Sequence, residues 1–257
     1  MVDYIDKVAQ SIHASKRITV FTGAGVSTES GISDFRSPDG IWSRYDPEDF
    51  TIQKFVADPE ARKRNWQLRK ELISANYQPN PAHYAIAELE RLGKLTCVIT
   101  QNIDGLHLAA GNTAEKIIEL HGTIKFAKCL DCDDRLPITE VLQRIDDGEE
   151  DPHCKKCGGL LKAATVSFGE AMPRDKMSRA EEHSRNCDVF IVVGSSLVVF
   201  PAANMPLIAK RAGARLVIVN NTPTDMDSMA DVVIHAQAGT VMQAILEKAK
   251  HYRTSAK

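Results

Sequence analysis

Three things are scarce in this chain of 257 residues, and each scarcity excludes something. Net charge is nearly absent, because 32 Lys and Arg stand against 34 Asp and Glu, so no general positive field is available to hold a nucleic-acid backbone. Long apolar runs are missing too: none approaches the roughly 18 to 20 residues of a membrane span. The first residues, Met1-Val-Asp-Tyr-Ile-Asp6, carry acids where a secretory signal carries basic residues. These absences predict a soluble cytoplasmic protein with neither nucleic acid nor membrane as partner, and they leave the oligomeric state open. There is also no internal repeat and no low-complexity tract. With 43% hydrophobic residues, the chain can bury a substantial core in one large domain, or in one domain with a small insert.

The third scarcity is local. An apolar run from Ile18 to Phe21 ends in Gly23-x-Gly25, the start of a dinucleotide-binding loop, in which glycines let a tight turn and a helix N-terminus approach a pyrophosphate. The third glycine of that fingerprint should fall at Thr28, and a second strand with an acidic ribose ligand should follow about twenty residues on. Both are missing. In their place stands Ser33-Asp-Phe-Arg-Ser-Pro-Asp-Gly-Ile-Trp42, which has the composition of a loop packed on a ligand. The departure points to a nucleotide held for something other than hydride transfer, and it argues against a dehydrogenase.

Four further short apolar runs, Leu95–Thr100, Val189–Gly194, Leu216–Asn220 and Val232–Ile234, read as strands buried on both faces of a parallel sheet. Helical patterns lie between them, at Ala82–Leu92 and Pro201–Arg211, and the spacing of Tyr4, Ile5, Val8 and Ile12 predicts an N-terminal helix. The alternation predicts a Rossmann-like doubly wound α/β sheet. Ligands of such sheets bind beyond the carboxyl ends of the strands, where this chain gathers small, hydroxyl and amide residues: Thr22 to Gly25, Thr100 to Asp104, Gly194 to Ser196, and Asn220 to Thr222. Two segments break the pattern. Residues 37–79 read as a helical excursion with Arg62, Lys63, Arg64, Arg69 and Lys70 clustered, and residues 123–163 hold four of the six cysteines. The expected division of one catalytic domain, 1–257, is therefore a nucleotide-binding part (1–36, 80–122, 164–257), a loop and helical insert (37–79), and a cysteine module (123–163).

Cys129-x2-Cys132 and Cys154-x2-Cys157, 21 residues apart, match the paired knuckles of a four-thiolate zinc site. With every position filled by protein, the one ion should be structural. A pair of disulfides or redox motifs is the competing reading, disfavoured in a reducing compartment. Among candidates for chemistry, Asn102 and Asp104 suit ribose hydroxyls or an amide, Gln101 suits either, and all three suit plain turn capping. His107 reads as structural. His121 precedes the cysteine module at the mouth of the expected crevice and is the side chain best suited to proton transfer near neutral pH.

Gly23-Ala-Gly-Val-Ser27, Ser30-Gly-Ile-Ser-Asp-Phe-Arg36, Gln78-Pro-Asn-Pro-Ala-His83, Thr100-Gln-Asn-Ile-Asp-Gly-Leu-His107, Leu120-His-Gly122, the four cysteines, Val166-Ser-Phe-Gly-Glu170 and Gly194-Ser-Ser-Leu197 together resemble the sirtuin family of NAD-dependent protein deacylases. The resemblance runs from about residue 15 to residue 241. Ser33 stands where the family usually has proline, and Lys162-Ala-Ala-Thr-Val166 replaces a common Arg-Pro-x-Val-Val run. The resemblance implies a mobile cofactor loop at 33–45 and NAD consumed as co-substrate. In the implied reaction an acyl-lysine oxygen of a protein or peptide displaces nicotinamide, His121 acts as general base on a ribose hydroxyl, and lysine and O-acyl-ADP-ribose are released. By position, Gly23, Ala24, Gly25, Ser27, Asp34, Phe35 and Arg36 would hold phosphate and the reacting ribose. Gln101, Asn102, Ile103 and Asp104 would hold ribose and nicotinamide, with Asn102 and Asp104 joining His121 in catalysis. Gly194, Ser195, Ser196, Asn220, Asn221 and Ala238 would line the adenosine half. Val166, Ser167, Phe168 and Gly169 would pair with the substrate backbone as an added strand. In the branch that removes malonyl and succinyl groups, a Tyr-x-x-Arg pair binds the acyl carboxylate; the best match here is Trp66-x-x-Arg69, which equally suits a buried Trp beside an exposed basic face. Protein mono-ADP-ribosyl transfer shares every step up to nicotinamide release and stands as the alternative enzyme reading, and a zinc-ribbon binding module as the non-enzymatic one.

Overall fold

The apolar runs become strands because near-continuous Val, Ile and Leu leave no polar side for water, so the sheet they form is covered on both faces. In the computed structural model, which describes residues 1–254, helix α1 (Val2–Ala14) leads into β1 (Ile18–Thr22), whose five residues are all buried. Helices α2 (Ile52–Ala57) and α3 (Pro59–Ser74) form the helical excursion. Next come α4 (Pro81–Arg91), β2 (Leu95–Thr100), a single turn α5 (Leu106–Ala109) and β3 (Ile117–Glu119). The cysteine module holds β4 (Gly122–Cys129), β5 (Arg135–Pro137), α6 (Ile138–Asp146) and β6 (Leu161–Thr165). The chain finishes with α7 (Arg174–Arg185), β7 (Val189–Val193), α8 (Met205–Arg211), β8 (Arg215–Val219), β9 (Val232–Ile234) and α9 (Ala238–Thr254). No helix among the described residues is long and apolar enough to cross a membrane.

Six strands run parallel in the order β3-β2-β1-β7-β8-β9. One face is sealed by Val8, Ile12, Ile86, Leu89, Val241 and Ile245 of α1, α4 and α9, the other by Ala180 of α7 and Met205 and Ala209 of α8. The chain leaves β1 towards β2 and leaves β7 towards β8, so the order reverses between β1 and β7, and a crevice opens at their carboxyl ends. The opposite, amino-terminal edge is laced by ion pairs: Arg17 to Asp188 at 2.7 Å and Lys210 to Asp231 at 2.7 Å.

Two sequence expectations change. No helix begins at Gly25; Ala24–Val26 and Thr28–Ser30 are short 3-10 turns, so no helix dipole points at the crevice there. The module also contains a separate antiparallel sheet, β5-β4-β6, and β3 adds a sixth strand to the main sheet.

Candidate active site

A cleft of about 1050 Å³ opens at the point where β1 and β7 part. Its floor is made by backbones in close approach. Gly194 has φ +62°, and a Cβ there would lie 2.1 Å from Val26 N; a Cβ on Gly25 would lie 2.9 Å from Gly194 O. The glycines thus serve first to let two strand ends pack, with Gly25 N–H donating to Gly194 O at 2.8 Å. Gly23 sits under this crossing, against Gly194, Ser195 and Gln101, and does not line the cleft. Along Gly23–Ser27 every N–H is bonded within the chain except that of Ala24. The sequence reading of a multi-donor phosphate cradle therefore reduces to one N–H without a partner among the described residues, with Ala24 and Arg36 both on the cleft wall.

Ala24, Gly25, Ser27, Asp34, Phe35 and Arg36 all border the cleft, as do Gln101 to Asp104, Gly194 to Ser196, Asn220, Asn221 and Ala238. The loop carrying Asp34 to Arg36 is folded by Asp34 itself, whose Oδ1 accepts from Arg36 N and Ser37 N at 2.9 and 2.8 Å. Ser27 Oγ donates to Asp104 Oδ2 at 2.8 Å and accepts from Asn102 Nδ2 at 3.1 Å. The other Asp104 oxygen caps Leu106 N at 2.9 Å. Each oxygen of Asp104 thus accepts one bond within the chain, and Asn102 keeps its amide oxygen. Gln101 Oε1 accepts from Ser195 Oγ at 2.8 Å, which leaves the Gln101 amide N–H groups for a ligand.

His121 stands where β3 hands over to β4. Gly122 after it has φ +78°, and a Cβ there would fall 2.2 Å from Ala164 O, so only glycine lets the two parts join at this point. His121 Nδ1 donates to the Gln101 carbonyl at 2.9 Å. A carbonyl only accepts, so the proton sits on Nδ1 and Nε2 carries the free lone pair. Burial holds the pKa of this imidazole below the ordinary histidine value, partly offset by the Gln101 carbonyl. His107 is structural as expected: fully buried, it shares Thr22 Oγ1 through Nε2 at 2.9 Å.

Val166, Ser167, Phe168 and Gly169 form an arc along the cleft. Much of its backbone is already bonded within the chain. Phe168 N donates to Phe50 O and Phe168 O accepts from Ile52 N; Ser167 N bonds the Glu170 carboxylate and Ser167 O accepts from Glu170 N. Val166 N donates to His121 O. Only the Val166 carbonyl and the Gly169 backbone groups remain without a partner among the described residues.

Trp66 does not reach the cleft. It is 2% exposed and packs with Ala127, Ile138, Val141 and Leu161 in the core of the cysteine module. Residues i and i+3 share a helix face, but that face of α3 is divided between the module core and the cleft. Arg69 does line the cleft. Of the five clustered cations on α3, Arg62, Lys63, Arg64 and Lys70 pair with Asp151, Glu150, Asp49 and Asp146. Among the described residues Arg69 pairs with no acid; its neighbours are Thr165 Oγ1 at 3.5 Å and the Phe50 ring at 5.9 Å, and burial pulls its pKa down to about 10. Sequence reasoning missed Lys125, Ile138 and Thr139 on the cleft wall, because they belong to the cysteine module and no local pattern points them at a distant crevice.

In that module the four sulfurs of Cys129, Cys132, Cys154 and Cys157 lie within 4.8 Å of one another, with Cys129 to Cys157 at 3.5 Å and Cys132 to Cys154 at 3.7 Å. A tetrahedron with Zn–S of about 2.3 Å places its sulfurs about 3.8 Å apart. Disulfides would need about 2.05 Å. The donor set fits a closed structural zinc site.

The pattern of the Sir2 family matches residues 23–201. A relative from Archaeoglobus fulgidus, named NAD-dependent protein deacylase 2, is 46% identical, with 99% of each chain covered. A Sir2 enzyme solved to explain the mechanism and regulation of Sir2 enzymes superposes with a TM-score of 0.89 at 46% identity, covering 98% of this chain and all of its own. Sir2Af2, solved bound to a myristoylated histone peptide, gives a TM-score of 0.81 at 42% identity, covering 99% of this chain and 100% of its own. With the family pattern over residues 23–201, and a relative and a solved structure each 46% identical over nearly the whole chain, the chain belongs to the Sir2 family, the sirtuins.

Proposed function

We propose that this sirtuin is an NAD-dependent protein lysine deacylase that moves the acyl group from lysine to ADP-ribose and releases nicotinamide. The observation that carries the reading is the pairing of His121, fixed in its basic tautomer by Gln101, with the open Val166 carbonyl on the other side of the same strand junction. NAD supplies the electrophilic ribose carbon and the leaving group. Ala24 N–H and Arg36 hold its phosphates, and Asn102, aligned by Ser27, and the Gln101 amide orient the ribose and nicotinamide. Asp104 acts as a positioning residue through Ser27. Val166 O accepts from the acyl-lysine amide, and Gly169 bonds the flanking peptide backbone. His121 Nε2 takes the ribose hydroxyl proton. Phe35, Trp42 and Phe50, with ring centroids 5.1 and 5.4 Å apart, give the site an apolar wall that excludes water before the acyl group has moved. The name of the Archaeoglobus relative and the peptide in the Sir2Af2 complex support a protein or peptide substrate. The reducing cytoplasm is the compartment that keeps four thiols available for zinc.

For the acyl group, Arg69 favours a chain ending in a carboxylate, since a half-buried cation on the cleft wall with no acid beside it gains from an incoming anion. Incubating the zinc-loaded protein with NAD and one peptide bearing acetyl-, succinyl- or myristoyl-lysine tests both levels. Nicotinamide release matching lysine release supports the deacylase; labelled ADP-ribose on protein with no lysine release overturns it in favour of ADP-ribosyl transfer. Arg69→Met should lower desuccinylation selectively. Equal, unchanged rates for succinyl and acetyl peptides would remove the role of Arg69.

A further inference from the structure

We propose that Lys162, acting with Glu170 and Lys128, is a positioning residue that sets the shape of the substrate-pairing arc and thereby the affinity for acyl-lysine peptide. Lys162 lies on β6, is 2% exposed and does not line the cleft. Its ammonium has three donors, and three acceptors lie close to it, Thr165 O at 2.5 Å, Ser167 Oγ at 3.1 Å and Glu170 Oε2 at 3.0 Å, with Ala163 O further off at 3.5 Å. Two of these flank Val166, whose carbonyl is open to substrate. The third belongs to the carboxylate that also accepts from Ser167 N at 3.0 Å and, through Oε1, from Lys128 Nζ of β4 at 3.0 Å.

The brace therefore ties Thr165, Ser167 and Glu170 into one rigid turn around Val166. A buried ion pair of this kind adds little to stability over an apolar filling of the same volume, so its presence on this arc is better explained by what it orients. The Lys162 ammonium, with donors spread tetrahedrally, reaches acceptors on both sides of Val166 and on Glu170 at once. Burial also pulls the Lys162 pKa down to about 8, with Glu170 opposing that and Lys128 and Arg69, the other charged groups facing it, adding to it.

The inference rests on the deacylase reading, and peptide binding separates the two. Affinity of a fluorescent acyl-lysine peptide is measured by anisotropy on zinc-loaded protein without NAD, alongside KM for peptide and for NAD in turnover. Lys162→Met should weaken peptide affinity and raise peptide KM by about tenfold or more, with the KM for NAD unchanged and zinc retained. Across pH 7 to 10, peptide KM of the parent should climb above about pH 8 as Lys162 loses its proton, whereas Lys162→Arg, charged throughout, should give a flat profile. Peptide affinity unchanged in Lys162→Met, a parallel rise in both KM values, or a profile for Lys162→Arg that still climbs would each overturn the proposal. If Lys162→Met fails to fold, the profile of Lys162→Arg decides alone. A parent protein that binds peptide without consuming NAD would sink only the deacylase reading; one that binds no acyl-lysine peptide sinks both.

Discussion

At the scale of the residue, His121 combines a fixed tautomer with burial, and both shape its titration. A base works in its neutral form, and burial favours that form, so the folded-state pKa lies below the ordinary value of about 6.5. We therefore expect kcat/KM to stay level through neutral pH and to fall only below 6.5; an acid limb centred above that value would contradict the assignment. His121→Ala should cut kcat by roughly 10²- to 10⁴-fold while zinc content and melting temperature hold. His83 and His107, 5.0 Å apart between ring centroids, are pushed by burial to about 4 and about 3. Their unfolded forms bind protons more readily than the folded protein does. Stability linked to them is thus present above pH 6.5 and drains away as pH falls towards 3. Urea midpoints measured from pH 7 to 4 should decline, and a flat series would refute the linkage.

At the scale of the element, α3 shows how far a helical pattern can be read. Its cations were visible in the sequence, but which one faced the cleft was not, since that depends on acids 76 to 89 residues away: Asp146 for Lys70 and Asp151 for Arg62. Arg62 NH2 meets Asp151 Oδ2 at 2.6 Å with both side chains largely buried, and the same guanidinium caps Phe55 O and Val56 O. Asp151→Asn should cost about 3 kcal/mol in chemical denaturation, since it strands a buried cation; a loss below about 1 kcal/mol would show the pair to be peripheral. The turn after β1 was misread for a related reason. Gly23-x-Gly25 is the start of a helix-capping loop in most such sheets, yet here Gly25 N–H is taken by Gly194 O, a residue 169 positions further on, and the helix never starts.

At the scale of the whole molecule, the cleft is walled by two bodies that meet at His121–Gly122 and Thr165–Val166. One is the parallel sheet; the other is the zinc module clasped to α3. Stripping zinc with a strong chelator should abolish deacylation and remove one cooperative unfolding transition while the sheet keeps most of its far-ultraviolet signal; full activity without zinc would overturn this division. The sheet was legible because Ile18–Thr22, Leu95–Thr100 and Val189–Val193 are apolar on both faces, a pattern that needs no partner to be recognised. β4 was not, because exposed Lys125 and Phe126 interrupt its buried positions, and β3 is too short to show a period. Nearly every residue expected at the cleft reaches it, since strand ends in a parallel sheet must converge. Gly23 and Trp66 do not, because each fills space that only the assembled fold defines.

The ion pairs along the amino-terminal edge of the sheet, Arg17 with Asp188 and Lys210 with Asp231, lie at the far end of the strands from the cleft. For a protein engineer this edge is a free handle. Covalent cross-links, surface attachment or heat-hardening substitutions placed there would leave turnover untouched, whereas the same changes at the other end of the same strands would not.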